Sequence, residues 1–273
     1  MFREKKHRFI NLEKETMKRR VMRFKIKRSN GEKSWFDTFE IKPKPQMSVL
    51  EALFQIQDEQ DGSLAFRYSC RGAVCGSCAM LINRKQRLAC RTQVSEIIGE
   101  RVLTISPYGP VAKPEIKMGD DILVEPLPNL PVIKDLIVDM KPFFRHYEGV
   151  EPGFVDGDHA VMETMMSQDD VRKVDKYAAC ILCGLCYGAC PVAARDRDYL
   201  GPAALAKAWR FYADTRYRSK DEMLKRVDTK TGVWACDQVY RCVEVCPKQV
   251  PPTNAITGFM RKIIMYKMKH LLR

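Results

Sequence analysis

The chain has 273 residues, with 47 Lys and Arg against 34 Asp and Glu, so its formal net charge is +13. This length allows about two domains, and 45% hydrophobic with 30% charged residues is a globular composition. No stretch approaches the ~18 consecutive apolar residues of a membrane span, and the first residues lack the apolar core of a signal peptide. We therefore expect a chain that works in the cytoplasmic compartment and does not itself cross a membrane.

The positive charge is concentrated at the two ends of the chain. Residues 1–28 carry twelve Lys and Arg against three Glu, and residues 258–273 carry five Lys and Arg without an acidic residue. A nucleic-acid-binding domain would carry its basic residues on the folded body, so we predict no nucleic-acid partner. Residues 1–20 are interpreted as a basic extension. Residues 256–273 predict an amphipathic helix, which suits either a membrane-facing surface or ordinary solvent.

The first predicted elements form a β-hairpin. Met22, Phe24 and Ile26 alternate with Arg and Lys, which is the pattern of a half-buried strand. Asn30-Gly31 is typical of a tight turn, and residues 35–41 supply the return strand. Next, Ser48-x-x-Glu51 has the spacing of a capping box at the start of a helix. Further strands are predicted at residues 79–82 and 101–105.

Four cysteines lie in this half of the chain, at Cys70, Cys75, Cys78 and Cys90. Their C-x4-C-x2-C spacing is that of the loop that binds a 2Fe–2S cluster in plant-type ferredoxins. Strands and one helix around such a loop resemble the β-grasp fold of those ferredoxins. We predict that residues 21–125 form a plant-type 2Fe–2S domain with these four thiolates as iron ligands.

The second half predicts a helical domain, residues 126–273. The proline-rich residues 125–131 separate the halves. Helical patterns cover residues 132–147, a stretch that starts at Ser167, and another from Pro202 to about residue 214. The predicted fold class is therefore α+β, with a β-grasp domain followed by an all-α, bacterial-type ferredoxin domain.

The other seven cysteines form two runs of the bacterial two-cluster ferredoxin type. The first run is complete: Cys180, Cys183, Cys186 and Cys190, followed by Pro191. In the second run Val239 stands where the middle cysteine belongs: Cys236, Cys242 and Cys246, followed by Pro247. In two-cluster ferredoxins the fourth cysteine of each run binds the other cluster. The two clusters therefore receive unequal numbers of thiolates.

One predicted set has four thiolates and fits a 4Fe–4S cluster: Cys180, Cys183, Cys186 and Cys246. The other set has three: Cys190, Cys236 and Cys242. The isopropyl group of Val239 has no lone pair and cannot bind iron. Because a corner without a ligand tends to lose its metal, we predict a 3Fe–4S cluster here. Asp237 is an alternative oxygen ligand, although it lies two positions from the vacancy.

Zinc and disulfides are the alternative uses of so many cysteines. Zinc sites take cysteines in fours or mixed with histidine, and none of the four histidines here adjoins a cysteine pair. A disulfide framework is typical of short secreted chains with an even number of cysteines, whereas this chain has eleven. Iron–sulfur ligation accounts for every cysteine.

Together these features resemble the iron–sulfur subunits of succinate dehydrogenases and fumarate reductases, over roughly residues 20–260. The resemblance rests on motifs around the cysteines: Tyr68-Ser69-Cys70-Arg71-Gly72, Cys75-Gly76-Ser77-Cys78, Leu88-Ala89-Cys90, Gly201-Pro202-Ala203-Ala204 and Val245-Cys246-Pro247-Lys248. In that family a plant-type ferredoxin domain precedes a bacterial-type one.

The resemblance implies a relay of single electrons. A partner flavoprotein subunit would interconvert succinate and fumarate at its FAD. Electrons would then cross the 2Fe–2S, 4Fe–4S and 3Fe–4S clusters to a quinone beside membrane anchor subunits, which can hold heme b. The chain has no GxGxxG fingerprint, and we expect it to contribute no catalytic residue. The resemblance places it on the cytoplasmic side of the membrane, held there by the anchor subunits.

The departures from the family pattern lie at the quinone end. Pro191, Asp237 and Val239 are expected to face the quinone, although Asp237 could equally cap a helix. The segments after Pro191 and Cys236 lack the tryptophans and the histidine usual in ubiquinone-linked succinate dehydrogenases, and residues 231–236 are closer to fumarate reductases. These differences favour menaquinone, and they leave the physiological direction open.

Three alternative functions fit the sequence less well. A soluble fumarate reductase with a thiol donor would carry an additional cysteine-rich domain, which this sequence does not contain. A basic zinc protein on nucleic acid would need a basic groove on the folded body. A purely structural role does not explain why eleven cysteines have the spacing of iron ligands.

Overall fold

The computed structural model describes residues 21–98, 121–154 and 165–271, together with the backbone of 101–102 and 116–117. The predicted basic extension and the end of the strand predicted at 101–105 lie outside these residues. The chain divides into two compact units. The first unit is Met1–Leu127 with Pro131–Val138, and the second is Pro128–Leu130 with Asp139–Arg273.

The first unit is built on a mixed five-stranded sheet with the order β2-β1-β7-β3-β4. Its strands are β1 (Met22–Ser29), β2 (Ser34–Ile41), β3 (Ala79–Ile82), β4 (Lys85–Leu88) and β7 (Asp121–Glu125). β1 is antiparallel to β2 and parallel to β7, so that Phe24 lies opposite Phe39 on one side and Ile122 on the other. Two short strands, β5 (Arg101–Val102) and β6 (Ile116–Lys117), pair separately.

The predicted hairpin and helix are both confirmed. The turn between β1 and β2 contains Gly31 at φ 95°, a conformation that glycine adopts without strain. Helix α1 (Val49–Glu59) begins with the predicted capping box. Ser48 Oγ accepts a hydrogen bond from Glu51 N at 3.2 Å, and Glu51 Oε2 accepts one from Ser48 N at 2.7 Å. Leu53 and Ile56 of α1 are completely buried in the core. The one-turn helix α2 (Val94–Ile97) follows β4.

The helix predicted over residues 132–147 is wrong in its first half. Strands β8 (Val132–Lys134) and β9 (Ile137–Val138) form a hairpin, and helix α3 (Lys141–Gly149) starts only afterwards. The reason is Asp135 at the hairpin tip, whose carboxylate accepts hydrogen bonds from Ser29 N at 3.0 Å and Ala65 N at 2.9 Å. These partners are distant in sequence and outweigh the local helical pattern.

The second unit is helical, and its described residues contain no strand. After α3 its helices are α4 (Gln168–Ala178), α5 (Leu185–Gly188), α6 (Pro191–Arg195), α7 (Gly201–Tyr212), α8 (Lys220–Val227), α9 (Arg241–Glu244) and α10 (Pro252–Leu271), with a 3₁₀ turn at Val233–Ala235. The predicted helix starts are confirmed: Ser167 Oγ caps α4 by accepting from Asp170 N at 3.2 Å, and Pro202 lies in the first turn of α7.

Helices α7 and α10 pack closely at Gly258. A Cβ at Gly258 would lie 2.5 Å from the indole ring of Trp209 on α7, so only glycine allows this approach. The inner face of α10 is buried, whereas Met265, Met268 and Leu271 near its end are exposed. No helix in the described part of the chain is both long and apolar enough to cross a membrane.

Candidate cluster-binding sites

The loop before β3 wraps backbone N–H groups around a sulfur atom. Cys70 Sγ accepts contacts from the N–H groups of Gly72, Val74 and Cys75 at 3.4, 3.3 and 3.2 Å, and Cys75 Sγ accepts one from Cys70 N at 3.4 Å. Arg71 adopts a positive φ of 56°, which tightens this turn. Donors aimed at sulfur stabilise the negative charge of a thiolate, as required of iron ligands.

The β3–β4 hairpin positions the other two cysteines of this loop. Cys78 directly precedes β3 and Cys90 lies just after β4, and Ala89 N donates to Cys78 O at 3.0 Å. Cys90 N lies 3.4 Å from Cys78 Sγ. The hairpin therefore brings together two cysteines that the sequence separates by eleven residues.

The thiols of this loop differ in acidity. Hydrogen bonding from Ser77, followed by the backbone of Cys70, lowers the pKa of exposed Cys75 to about 6. Burial raises the pKa of Cys78 to about 12. Iron binds thiolates, so cluster insertion must remove the proton from the buried thiol.

In the second unit, a cavity is lined by the four thiols predicted to form the complete set: Cys180, Cys183, Cys186 and Cys246. It encloses about 400 Å³ of empty space, part of it open to solvent, and apolar groups such as Leu185, Val250 and Pro252 complete its wall. Val250 N donates to Cys246 Sγ at 3.3 Å. The cysteines of the first run thus meet the last cysteine of the second run, although 60 positions separate Cys186 from Cys246.

Burial dominates the acid–base behaviour of the three thiols that the first run contributes to this cavity, Cys180, Cys183 and Cys186. It raises the pKa of Cys183 to about 11 and that of Cys186 well above the ordinary thiol value. The neighbouring cysteines raise both further, because adjacent thiolates would repel each other. Such a group of buried thiols is stable as thiolates only with a cation among them, and iron supplies that charge.

The three thiols predicted for the incomplete set also lie together: Cys190, Cys236 and Cys242. Burial raises the pKa of Cys190 to about 11, and charges on Cys242 and Cys236 would raise it further. Cys242 Sγ lies 3.2 Å from Thr253 Oγ1, and both side chains are buried. The buried hydroxyl of Tyr199 interacts with the Cys236 thiol, although it makes no hydrogen bond of normal geometry.

Asn129 holds the backbone of the first cysteine run. Its side-chain amide donates to Tyr187 O at 2.8 Å and to Cys190 O at 3.0 Å, while Arg197 Nη1 donates to Asn129 O at 2.6 Å. These bonds hold the turn that carries Cys186 and Cys190. No local sequence motif signals the contacts of Asn129, Tyr199 or Thr253 with the cysteine runs.

The three residues expected to face a quinone lie at a partly exposed surface. Pro191 is the first residue of α6 and is partly buried. Asp237 caps no helix, and its Oδ2 lies 2.8 Å from Arg195 Nη2. The side chain of Val239 is 51% exposed, and Trp234 and Tyr240 nearby in the chain are also exposed.

The cysteine geometry bears on the zinc alternative. Across the described residues, no three or more His, Cys, Asp or Glu side chains are gathered closely enough for a single metal ion. A structural zinc site needs four such ligands around one ion. The four thiols that line the cavity at Cys180 are therefore not gathered around a single ion in the way that a zinc site requires.

Two regions of the chain match families of known proteins. Residues 18–145 match the family described as "2Fe-2S iron-sulfur cluster binding domain", and residues 176–250 match "4Fe-4S dicluster domain". The solved structure titled "Mycobacterium smegmatis Sdh1 complex in the apo form" has the same fold, with a TM-score of 0.77 at 22% identity, over 91% of this chain and 97% of that one. The matched domains define an iron–sulfur electron-transfer protein.

Curated relatives specify the family. "Fumarate reductase iron-sulfur subunit" of Haemophilus influenzae is 34% identical over 86% of this chain and 90% of its own length. The protein of the same name from Mycobacterium tuberculosis is 35% identical over 87% and 89%. The Escherichia coli protein of that name is 33% identical over 80% and 82%. The chain belongs to the family of fumarate reductase iron–sulfur subunits, the electron-transfer part of succinate/fumarate oxidoreductases.

Proposed function

We propose that this chain relays electrons between an FAD-containing subunit and a membrane quinone through three clusters in series, 2Fe–2S, 4Fe–4S and 3Fe–4S. The observation that carries the proposal is the cavity lined by four thiols from two distant runs, beside a group of only three. Fixed positions within one chain keep the electron transfers short, while cluster type, burial and hydrogen bonds to sulfur set each potential.

The proposed ligands follow the three groups of cysteines. The 2Fe–2S cluster is bound by Cys70, Cys75, Cys78 and Cys90. The 4Fe–4S cluster is bound by Cys180, Cys183, Cys186 and Cys246. The 3Fe–4S cluster is bound by Cys190, Cys236 and Cys242. The backbone donors around Cys70 and the apolar cavity at Cys186 support the first two sets.

Two features support three irons in the last cluster. Val239 stands at the missing ligand position, and half of its side chain is exposed to solvent. The nearest candidate oxygen ligand, Asp237, is engaged with Arg195. Neither Val239 nor Asp237 would therefore supply a ligand at this corner, and a cluster held only by Cys190, Cys236 and Cys242 would retain three irons.

We further propose that the first domain, residues 21–125, has the β-grasp fold and that the second, residues 126–273 apart from the β8–β9 hairpin, is an all-α ferredoxin domain. Helix α1 beside a mixed sheet in which β1 and β7 are parallel supports the first assignment. The helical content of the second unit supports the other.

The partners of the proposed subunit are a flavoprotein, membrane anchor subunits and a quinone, with menaquinone favoured and heme b in the anchor. The exposed apolar side chains Trp234, Val239 and Tyr240, next to the three-thiolate group, support a quinone-facing surface with Pro191 and Asp237. The exposed end of α10, with Met265 and Met268, supports contact with an anchor. The proposed location is the cytoplasmic side of the membrane, peripheral to it.

Paired ligand substitutions in the assembled complex test this assignment. The wild-type chain is expected to contain about nine irons. Cys186→Ser should abolish the spectrum of the 4Fe–4S cluster, and Cys242→Ser should abolish only that of the 3Fe–4S cluster. Two results would contradict the ligand sets. One is zinc in place of iron. The other is loss of the spectrum of the same cluster in both variants, with the spectrum of the other cluster intact.

A further inference from the structure

Tyr199 carries a buried polar group that nothing in the fold explains. Its side chain is completely buried, and its hydroxyl makes no hydrogen bond of normal geometry in the part of the chain that the structure describes. Burying a hydroxyl without a hydrogen-bond partner is unfavourable, and a phenylalanine would fill the same space without that cost. A tyrosine at this position therefore needs a partner.

The surroundings of the Tyr199 hydroxyl identify that partner. The Cys236 side chain lies near enough to interact with this hydroxyl, and Cys190 and Cys242 are near enough to act on it electrostatically. A free thiol is a weak acceptor, whereas an iron-bound thiolate is a negatively charged one. The phenol O–H of a tyrosine can donate a hydrogen bond to such an acceptor.

Resting on the three-cluster function proposed above, we propose that Tyr199 donates a hydrogen bond to the iron-bound Cys236 sulfur and thereby raises the reduction potential of the three-iron cluster. Hydrogen bonds to cluster sulfurs tune potential because they stabilise the added negative charge of the reduced state. Tyr199 is thus a positioning residue for electron transfer that acts through a ligand.

A second hydroxyl supports a local polar environment at this cluster. Thr253 Oγ1 lies 3.2 Å from Cys242 Sγ, and once that sulfur binds iron only the threonine can donate. A backbone N–H also reaches a sulfur of the four-thiolate set, from Val250 to Cys246. Two buried side-chain hydroxyls, those of Tyr199 and Thr253, lie close to thiols of the three-thiolate set, which the proposed relay uses last.

Tyr199→Phe in the assembled complex tests the inference, with the midpoint potential of each cluster followed by EPR-monitored titration. We expect a downward shift for the 3Fe–4S cluster and no shift for the other two. Tyr217→Phe is the matched control, because Tyr217 is also buried with an unpaired hydroxyl but has aromatic side chains and Arg226 around it. Thr253→Val should likewise lower only the three-iron potential.

The outcomes separate this inference from the proposed function. A normal three-iron signal with unchanged potential in Tyr199→Phe would overturn the role of Tyr199 and leave the relay intact. If the wild-type complex gives no three-iron signal, the relay assignment fails and the inference with it. If Tyr199→Phe fails to assemble, pulsed EPR of the wild-type three-iron cluster tests the role of Tyr199 instead. A strongly coupled exchangeable proton that persists in Thr253→Val supports that role. The absence of such a proton overturns it.

Discussion

Arg195 Nη2 lies 2.8 Å from Asp237 Oδ2, so the carboxylate two positions before the missing cysteine is already paired. Arg195 ends helix α6, which follows the first cysteine run, whereas Asp237 directly follows Cys236 of the second run. The side chains are 50% and 40% exposed, and such a pair contributes about 1 kcal/mol or less to stability. The pair therefore restrains Asp237 more than it stabilises the fold.

This pairing makes Asp237→Asn informative. We expect the substitution to leave the three-iron EPR signal intact and to change the free energy of unfolding by less than about 1 kcal/mol, because the pair is exposed. Arg195→Gln is the control, since it breaks the same pair and keeps the carboxylate. Loss of the signal in Asp237→Asn alone would identify Asp237 as an iron ligand.

Val239→Cys should complete the second ligand set. A thiolate at this position supplies the missing ligand, so the 3Fe–4S cluster should become 4Fe–4S, with about one more iron per chain. The EPR signal of the oxidised three-iron cluster should disappear, and quinone reduction should slow as the potential falls. Val239→Thr, which has the same shape and no thiol, should keep three irons. An unchanged spectrum in Val239→Cys would show that the vacancy is misassigned.

Asp135 should matter more for stability than any exposed acid of the first unit. Its Oδ1 lies 3.0 Å from Arg28 Nε, and both side chains are almost completely buried. Removing one partner of a buried pair costs about 3–5 kcal/mol, and because Asp61 and Asp37 still face Arg28, we expect about 3 kcal/mol for Asp135→Asn.

Denaturant unfolding, followed by the 2Fe–2S absorbance, measures this loss. The control is Asp121→Asn, which breaks the exposed pair of Asp121 with Arg23 and should cost less than about 1 kcal/mol. Equal losses in the two variants would refute a special role for the buried pair.

His146 should make the second unit sensitive to acid. Burial on α3 lowers the pKa of His146 below its ordinary value. The unfolded chain therefore binds the proton more readily, so stability is complete above about pH 6.5 and falls as the pH decreases below it. One such group gives a slope of at most about 1.4 kcal/mol per pH unit.

His146→Gln should flatten this decline between pH 7 and pH 5, measured as the unfolding midpoint of the second unit. His270, on the exposed end of α10, provides the control substitution. If His270→Gln flattens the decline as much as His146→Gln, burial of His146 is not its cause.

Local patterns predicted the parts of the fold that neighbours in sequence determine. The capping box at Ser48, the turn at Gly31 and the start of α4 at Ser167 each depend on contacts within a few residues. Cysteine spacing likewise indicated which thiols belong to one cavity, because the crossing of ligands between two runs is a regular feature of two-cluster ferredoxins.

Contacts between distant residues could not be predicted in this way. The apolar spacing of residues 132–138 fits a helix, and a hairpin forms because Asp135 is bound by Ser29 and Ala65. The roles of Asn129 and Tyr199 depend on which sulfur or carbonyl each side chain reaches after folding. Polar residues of this kind follow no periodic pattern in the sequence, so their partners become apparent only in the folded structure.

The most direct test of the three-cluster relay is EPR, with iron and zinc analysis, on anaerobically purified complex as isolated and after dithionite. A three-cluster relay predicts a near-isotropic 3Fe–4S signal in the oxidised protein, with 2Fe–2S and 4Fe–4S signals after reduction, at about nine irons per chain. An EPR-silent chain rich in zinc would contradict it.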